Sequence, residues 1–275
     1  MSIEAGINLE FIRRSEKPFP VGIEWAAKMG YKYVEPMLHT GRELMSEAGY
    51  YHSVSMEDDP HFIKDILDQY GVKASAVSAH CPLMRPEVSI LYLQRAIRFA
   101  AVLGAPVVNT DESYRPEWIA DDEIWPVMRY TLKSVLRVAE RYGISIGIEP
   151  HQAITKTTDG LLKIASLVDH PLLRINYDTG NAYLGGEDIY EGLERVGRRL
   201  VHMHAKDISI EHSDAERGKV TGTPVGCACG DGVVDWVKVA GILRKYEFSG
   251  VLSVECGTPE QAERSLTHLN SIFGS

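Results

Sequence analysis

The stretch Arg141-Tyr-Gly143-Ile-Ser145-Ile-Gly-Ile-Glu149-Pro-His151 holds one full joint of a repeating unit. A segment with helical apolar spacing, 124–142, runs into Gly143, a residue suited to the left-handed turn just past a helix. A short β-rich run at 145–149 follows and stops on a carboxylate, a proline and a histidine. Gln69-Tyr-Gly71-Val-Lys73 repeats the joint, and helix-like segments at 88–103 and 233–246 alternate with further β-runs. Eight strands are predicted, at 5–9, 33–36, 73–78, 107–110, 145–149, 174–177, 200–204 and 250–255. Strands alternating with helices imply a parallel sheet, and right-handed crossovers close eight parallel strands most simply as a barrel. A doubly wound sheet would want G-x-G-x-x-G after its first strand, where this chain has Asn8-Leu-Glu-Phe-Ile12. The chain is therefore expected to be α/β, a (β/α)8 TIM barrel forming a single domain over 1–275.

Composition fits one large core: 275 residues, 44% apolar and 24% charged, without a low-complexity tract or Pro-rich linker to mark a boundary. With 29 basic against 38 acidic residues the net charge is -9, and no basic stripe offsets it, so nucleic acid is not an expected partner. No stretch approaches the roughly 20 apolar residues of a membrane span, and Met-Ser-Ile-Glu-Ala-Gly-Ile lacks a basic n-region. A cytoplasmic protein is expected. Four cysteines, Cys81, Cys227, Cys229 and Cys256, are too few for a disulfide scaffold. Cys227-x-Cys229 lacks the spacing of a zinc knuckle and reads as two small buried residues in a tight loop.

In a barrel of this kind chemistry sits at the carboxyl ends of the strands. Those ends are unusually polar here: His80, Asp111, Glu112, Glu149, His151, Asp178, Asn181, His204, Lys206, Asp207 and Glu255. Predicted strands five to eight each offer one metal ligand, in Gly-Ile-Glu149-Pro-His151, Asn-Tyr-Asp178-Thr-Gly-Asn181, His-Met-His204-Ala-Lys206-Asp207 and Ser-Val-Glu255-Cys. Each residue alone reads equally well as a helix cap or a salt-bridge partner. Three carboxylates gathered in one mouth, however, repel one another and need a counter-charge, which one divalent cation supplies. Three oxygens and an imidazole suit Mn²⁺ first, with Mg²⁺ or Co²⁺ as alternatives, leaving positions for two adjacent substrate oxygens. Such a cation acidifies the proton beside a carbonyl and holds the enediolate, while one carboxylate removes the proton and another returns it.

The set Ile-x-Ile-Glu149, Tyr-Asp178-Thr-Gly-Asn, His-x-His204-Ala-Lys206-Asp, Gly230-Asp-Gly-x-Val-Asp235-Trp and Gly250-Val-Leu-Ser-Val-Glu255 resembles the xylose-isomerase-like superfamily of sugar isomerases, epimerases and related lyases, over essentially the whole chain. The resemblance implies that Glu149, Asp178, His204 and Glu255 bind one metal and that Glu149 and Glu255 carry protons on opposite faces of a sugar or keto-sugar substrate. It departs in two places. Single-metal epimerases commonly have a histidine where this chain has Asn181, and the apurinic endonucleases of the superfamily need that histidine and an Asp-x-His after strand seven, absent here.

Four residues add catalytic or substrate contacts to this expectation. His151 and Lys206 each lie two positions beyond a ligand and share its direction, so either donates to a leaving oxygen or holds an oxyanion; Lys206 also reads as a counter-charge for Asp207 or Asp178. His80 and Asn181 are expected to touch substrate hydroxyls. Two further substrate-binding residues are expected, His39, in the long stretch after strand two, and Arg217, before the glycine-rich 222–232 run, in loops that read as lids or as contacts in a homo-oligomer or hetero-oligomer. A ketose isomerase or epimerase is the expected activity. A lyase acting by β-elimination on a keto-inositol or 3-keto-glycoside, C-glycosides included, is the alternative, and a non-catalytic metal-binding subunit is a third.

Overall fold

The computed structural model describes residues 2–219 and 226–274. Its main sheet is parallel throughout, and its strands run β1 (Ile3–Asn8), β2 (Tyr33–Glu35), β3 in two runs (Lys73–Ala74 and Val77–Ser78), β4 (Val107–Thr110), β5 (Ser145–Ile148), β6 (Leu173–Asp178), β7 (Leu200–Ala205) and β8 (Gly250–Val254). Each strand pairs with its sequence neighbours, and β1 pairs with β8. The first run of β3 pairs with β2 and the second with β4, and a parallel bridge from Met37 to Ser78 joins the two edges. The barrel is thereby closed, as the alternation of strands and helices predicts.

Helices such as Pro60–Gln69, Pro86–Leu103 and Ile124–Tyr142 connect the strands, and Pro259–Phe273 follows the last of them. Gly143, at φ +67°, ends the helix before β5 with its N–H on the carbonyls of Ala139 and Glu140, the left-handed turn expected of it. The helix predicted at 233–246 is instead Trp236–Lys245. Asp235 caps it, accepting from the N–H groups of Val237 and Lys238 at 3.1 Å. The residues before it are drawn off by Asp207, which accepts from the N–H groups of Gly230 and Val234 and from Trp236 Nε1, each at 3.0 Å.

Alternation along each strand divides the barrel into two zones. Ile146, Ile148, Ile175, Met203 and Val254 point outward and pack, fully buried, with helix residues such as Leu93 and Val135. The inward positions are polar: Asn109, Asn176, His202, Ser253 and Glu35 are all buried. All but Ser253 bond to one another, Asn109 Nδ2 lying 2.7 Å from Glu35 Oε1 and His202 Nδ1 3.2 Å from Asn109 Nδ2 and 3.1 Å from Asn176 Oδ1, so the floor beneath the mouth is a hydrogen-bonded network.

The long stretch after β2 carries structure of its own. Leu38–His39 pairs in parallel with Val54–Ser55, and the helix Arg42–Glu47 lies between them. Leu38 and Met45 turn into the interior, whereas Met37, His39 and Tyr50 face the mouth. Tyr50 is gripped by the Arg13 guanidinium, 4.2 Å from its ring centre, and His52 Nε2 lies 3.4 Å from Glu10 Oε1. Part of the second glycine-rich loop, at 220–225, lies outside the described residues.

Candidate metal centre and active site

The ends of β5 to β8 bring Glu149, Asp178, His204 and Glu255 together, with one ligand atom of each within 4.8 Å of the others. Asp178 does two jobs. Its Oδ1 accepts from the N–H of Asn181 at 2.7 Å and caps the short helix Thr179–Leu184, while Oδ2 is buried without a hydrogen-bond partner. His204 Nδ1 is likewise buried and unpartnered, 3.3 Å from Glu149 Oε1, 3.2 Å from Glu255 Oε2 and 3.7 Å from Asp178 Oδ2. Two orphaned polar atoms facing the same point, among three carboxylates, fit a cation-binding centre, because burial of such groups with nothing between them is costly. The oxygen-rich donor set suits a hard or borderline divalent ion.

Lys206 lies beside the centre, only 2% exposed. Its ammonium donates to Glu255 Oε1 at 2.8 Å and Asn181 Oδ1 at 2.9 Å and is 3.9 Å from Asp178 Oδ2. Asp178 and Glu255 are thus its anionic partners. Asp207, offered by the sequence as another, points to the opposite side, as its neighbouring strand position requires, and is engaged with the 230–236 segment. Gly180 makes room for Lys206: a Cβ there would fall 2.5 Å from Lys206 Cγ.

The electrostatics are asymmetric. Against burial, which opposes ionisation, Lys206 and then His204 hold the Glu255 carboxyl well below its ordinary value, and His204 together with His80 holds Glu149 below its own. Burial raises Asp178, with Glu255 adding to the rise and Lys206 opposing it. His204 is raised well above its ordinary value because Glu149 and Glu35 outweigh its burial.

On the other flank of Glu149 stand two more histidines. His80 Nε2 is 3.7 Å from Glu149 Oε2 and its Nδ1 is 3.4 Å from Asp111 Oδ2, the oxygen that also takes His151 Nδ1. Burial lowers His80, but the Asp111 carboxylate prevails and pushes it up to about 9. Glu112, the next residue, accepts from the N–H groups of Ile154 and Thr155 and from Thr155 Oγ1, and so pins the loop that carries His151.

Glu149, His204 and Glu255 line a cavity of about 590 Å³ at the barrel mouth, together with His39, Asn181, His80, His151, Lys206 and Tyr114. Burial pushes His39 down to about 4 and His80 pushes in the same direction. Asn181 Nδ2 donates to Glu149 Oε1 at 3.4 Å, so it bridges Glu149 to Lys206. Arg217 is not brought to this cavity. Its guanidinium is satisfied elsewhere, donating to the carbonyls of Gly186 and Glu187 at 3.0 and 3.2 Å and stacking on Tyr183 at 4.5 Å. Cys229 is buried with its thiol on the carbonyl of Ala205, while Cys227 is half-buried. Asp111 stood among the polar strand ends in the sequence without a role, and Glu35 was not singled out at all. Glu35 offered one signal, a charge inside a very short apolar run, Tyr33-Val-Glu35-Pro.

Comparison with known proteins agrees with this architecture. An inosose dehydratase of Clostridium perfringens is 27% identical over 176 residues, 57% of this chain, and the chain spans 59% of that enzyme's length. Among solved structures, a D-tagatose 3-epimerase-like protein superposes with a TM-score of 0.75 at 23% identity, covering 99% of this chain and 97% of its own. The IolI protein with a bound zinc atom superposes at 0.76 and 18% identity, covering both chains completely. At these identities the superpositions establish the fold. Residues 23–272 match the family model described as xylose isomerase-like TIM barrel, and the chain belongs to that family.

Proposed function

We propose that this chain is a divalent-metal-dependent isomerase or epimerase that moves a proton next to the carbonyl of a ketose or keto-sugar, with Mn²⁺ as its ion and Glu149, Asp178, His204 and Glu255 as ligands. One observation carries the reading: Glu149 and Glu255, from the two strands flanking β6 and β7, converge on a single unpartnered nitrogen, His204 Nδ1, at 3.3 and 3.2 Å. When bound there, a divalent cation supplies Lewis-acid charge that makes a C–H bond beside a carbonyl acidic. Glu149, held ionised by His204, takes the proton, and Glu255, itself held ionised by Lys206, would return to carbon from its own side of the cavity a proton drawn from the Lys206 ammonium bonded to it at 2.8 Å. Lys206, fixed by Asn181 and Glu255, presents its remaining N–H to a developing substrate oxyanion. His39, His80 and Asn181 contact substrate hydroxyls in the cavity.

A second reading, β-elimination from a keto-inositol or 3-keto-glycoside, is favoured by the histidine pair on Asp111. His80 and His151 share one carboxylate beside Glu149 and form a proton donor for a departing oxygen. The resemblance to an inosose dehydratase supports the same outcome. Both readings are tested by solvent deuterium wash-in with the Mn²⁺-loaded protein across ketoses, keto-inositols and 3-keto-glucosides. A new labelled sugar marks the epimerase or isomerase, and release of water or a phenol marks the lyase. No exchange and no release from any of these compounds overturns both.

A further inference from the structure

We infer that Glu35 is a positioning residue of the metal centre, which sets the tautomer and orientation of His204 from beneath and thereby tunes cation affinity without itself being a ligand. The inference rests on the metal reading above. Glu35 ends β2, on the far side of the barrel from the ligand-bearing strands, and is completely buried. Both of its oxygens face His204 Nε2, at 2.9 and 3.1 Å. Ser78 Oγ donates to the same carboxylate at 2.8 Å and Asn109 Nδ2 at 2.7 Å. A carboxylate buried this deeply is costly unless its partners use its charge, and the two other donors are neutral groups.

The neighbours of His204 Nε2 leave it only one acceptor. Asn176 Nδ2 lies 3.3 Å from Nε2, but an amide nitrogen only donates, as it does to Glu149 Oε2 at 3.0 Å, and cannot accept the Nε2 proton. His202 is occupied by Asn109, Asn176 and Ser75. The Nε2 proton of His204 therefore belongs to Glu35, and Nδ1, which has no hydrogen-bond partner, is the nitrogen turned towards Glu149, Asp178 and Glu255. A carboxylate behind a ligating imidazole fixes the ring and raises the basicity of the other nitrogen, and loss of such a partner typically costs about 10–100-fold in metal affinity.

The test is Mn²⁺ and Co²⁺ titration of the metal-free wild type and of Glu35→Gln, with thermal melting in chelator to confirm folding. The wild type is expected to bind one equivalent, and Glu35→Gln to keep that one site with a Kd raised about 10–100-fold and altered Co²⁺ absorption bands, a signature that loss of packing alone would not give. If Glu35→Gln fails to fold, Glu35→Asp, which keeps the charge but withdraws it by one methylene, must show a raised Kd. A wild-type Kd and spectrum in the folded variant overturn the inference and leave the metal reading standing. Two equivalents in the wild type and one in the variant overturn it by making Glu35 a ligand, together with His202 and His204. A wild type that binds neither ion overturns the metal reading as well.

Discussion

Replacing Lys206 with methionine removes a buried ammonium beside three carboxylates while an unbranched side chain keeps most of the stem volume against Gly180. Lys206 neutralises Glu255 at 2.8 Å and Asp178 at 3.9 Å, and it also satisfies Asn181. Breaking a buried pair by deleting one partner costs about 3–5 kcal/mol, because the other charge stays buried and uncompensated. At this chain length a loss of that size lowers Tm by about 6–10 °C. Calorimetry in chelator is expected to show that drop in Lys206→Met. Saturating Mn²⁺ should shrink it, since a cation held by Glu149, Asp178, His204 and Glu255 restores the missing counter-charge. Metal binding should persist in Lys206→Met and disappear in Asp178→Ala and His204→Ala. A metal-free Lys206→Met protein that melts with the wild type would refute the argument, since Glu255 and Asp178 would then draw their compensation from elsewhere.

Two further outcomes follow from contacts in the same region. His80 is raised from an ordinary value of 6.5 to about 9 by Asp111, against its own burial. Its contribution to stability is therefore fully present below pH 6.5 and lost as pH rises through about 9, so Tm of the metal-free protein should fall across that window. His80→Gln should flatten the fall, and a variant with the wild-type slope would show that His80 does not gain its charge on folding. In Gly180→Ala the new methyl would lie 2.5 Å from Lys206 Cγ and 2.8 Å from Cδ, a crowding worth about 1–3 kcal/mol of destabilisation by the usual cost of overpacking. Measured against Lys206→Ala, the added loss from Gly180→Ala should be much smaller than in the wild type, and additive losses would place the strain elsewhere.

Much of the fold was legible in the sequence because both of its periods are local. The glycine joints at Gly71 and Gly143 have positive φ, and β4 begins and ends where predicted, at Val107–Thr110. The four proposed ligands were legible for the same reason, each being the last inward residue of a strand whose partners are fixed by topology. What failed was loop path. The Arg217 guanidinium is held by the carbonyls of Gly186 and Glu187, residues about thirty positions distant in the chain. Lys206 and Asp207 were offered as partners although adjacent strand residues face opposite ways, and the structure separates them accordingly.

Glu35 escaped for a subtler reason. Inward residues of β5 to β7 come in pairs two apart, Gly147 with Glu149, Asn176 with Asp178 and His202 with His204. The upper member of each pair carries charge, and the lower one is neutral or absent. Gly147 is absent as a side chain for cause, since a Cβ there would meet Asn109 Oδ1 at 2.5 Å. Glu35 breaks the pattern by placing a carboxylate at the level of the neutral floor, where Asn109, Ser78 and His204 take hold of it. Strand two, short and without a paired partner two residues on, gives no periodic sign of this. A charged side chain there can be understood only once strand seven is known to stand across the barrel interior from it, because its reason is the underside of His204.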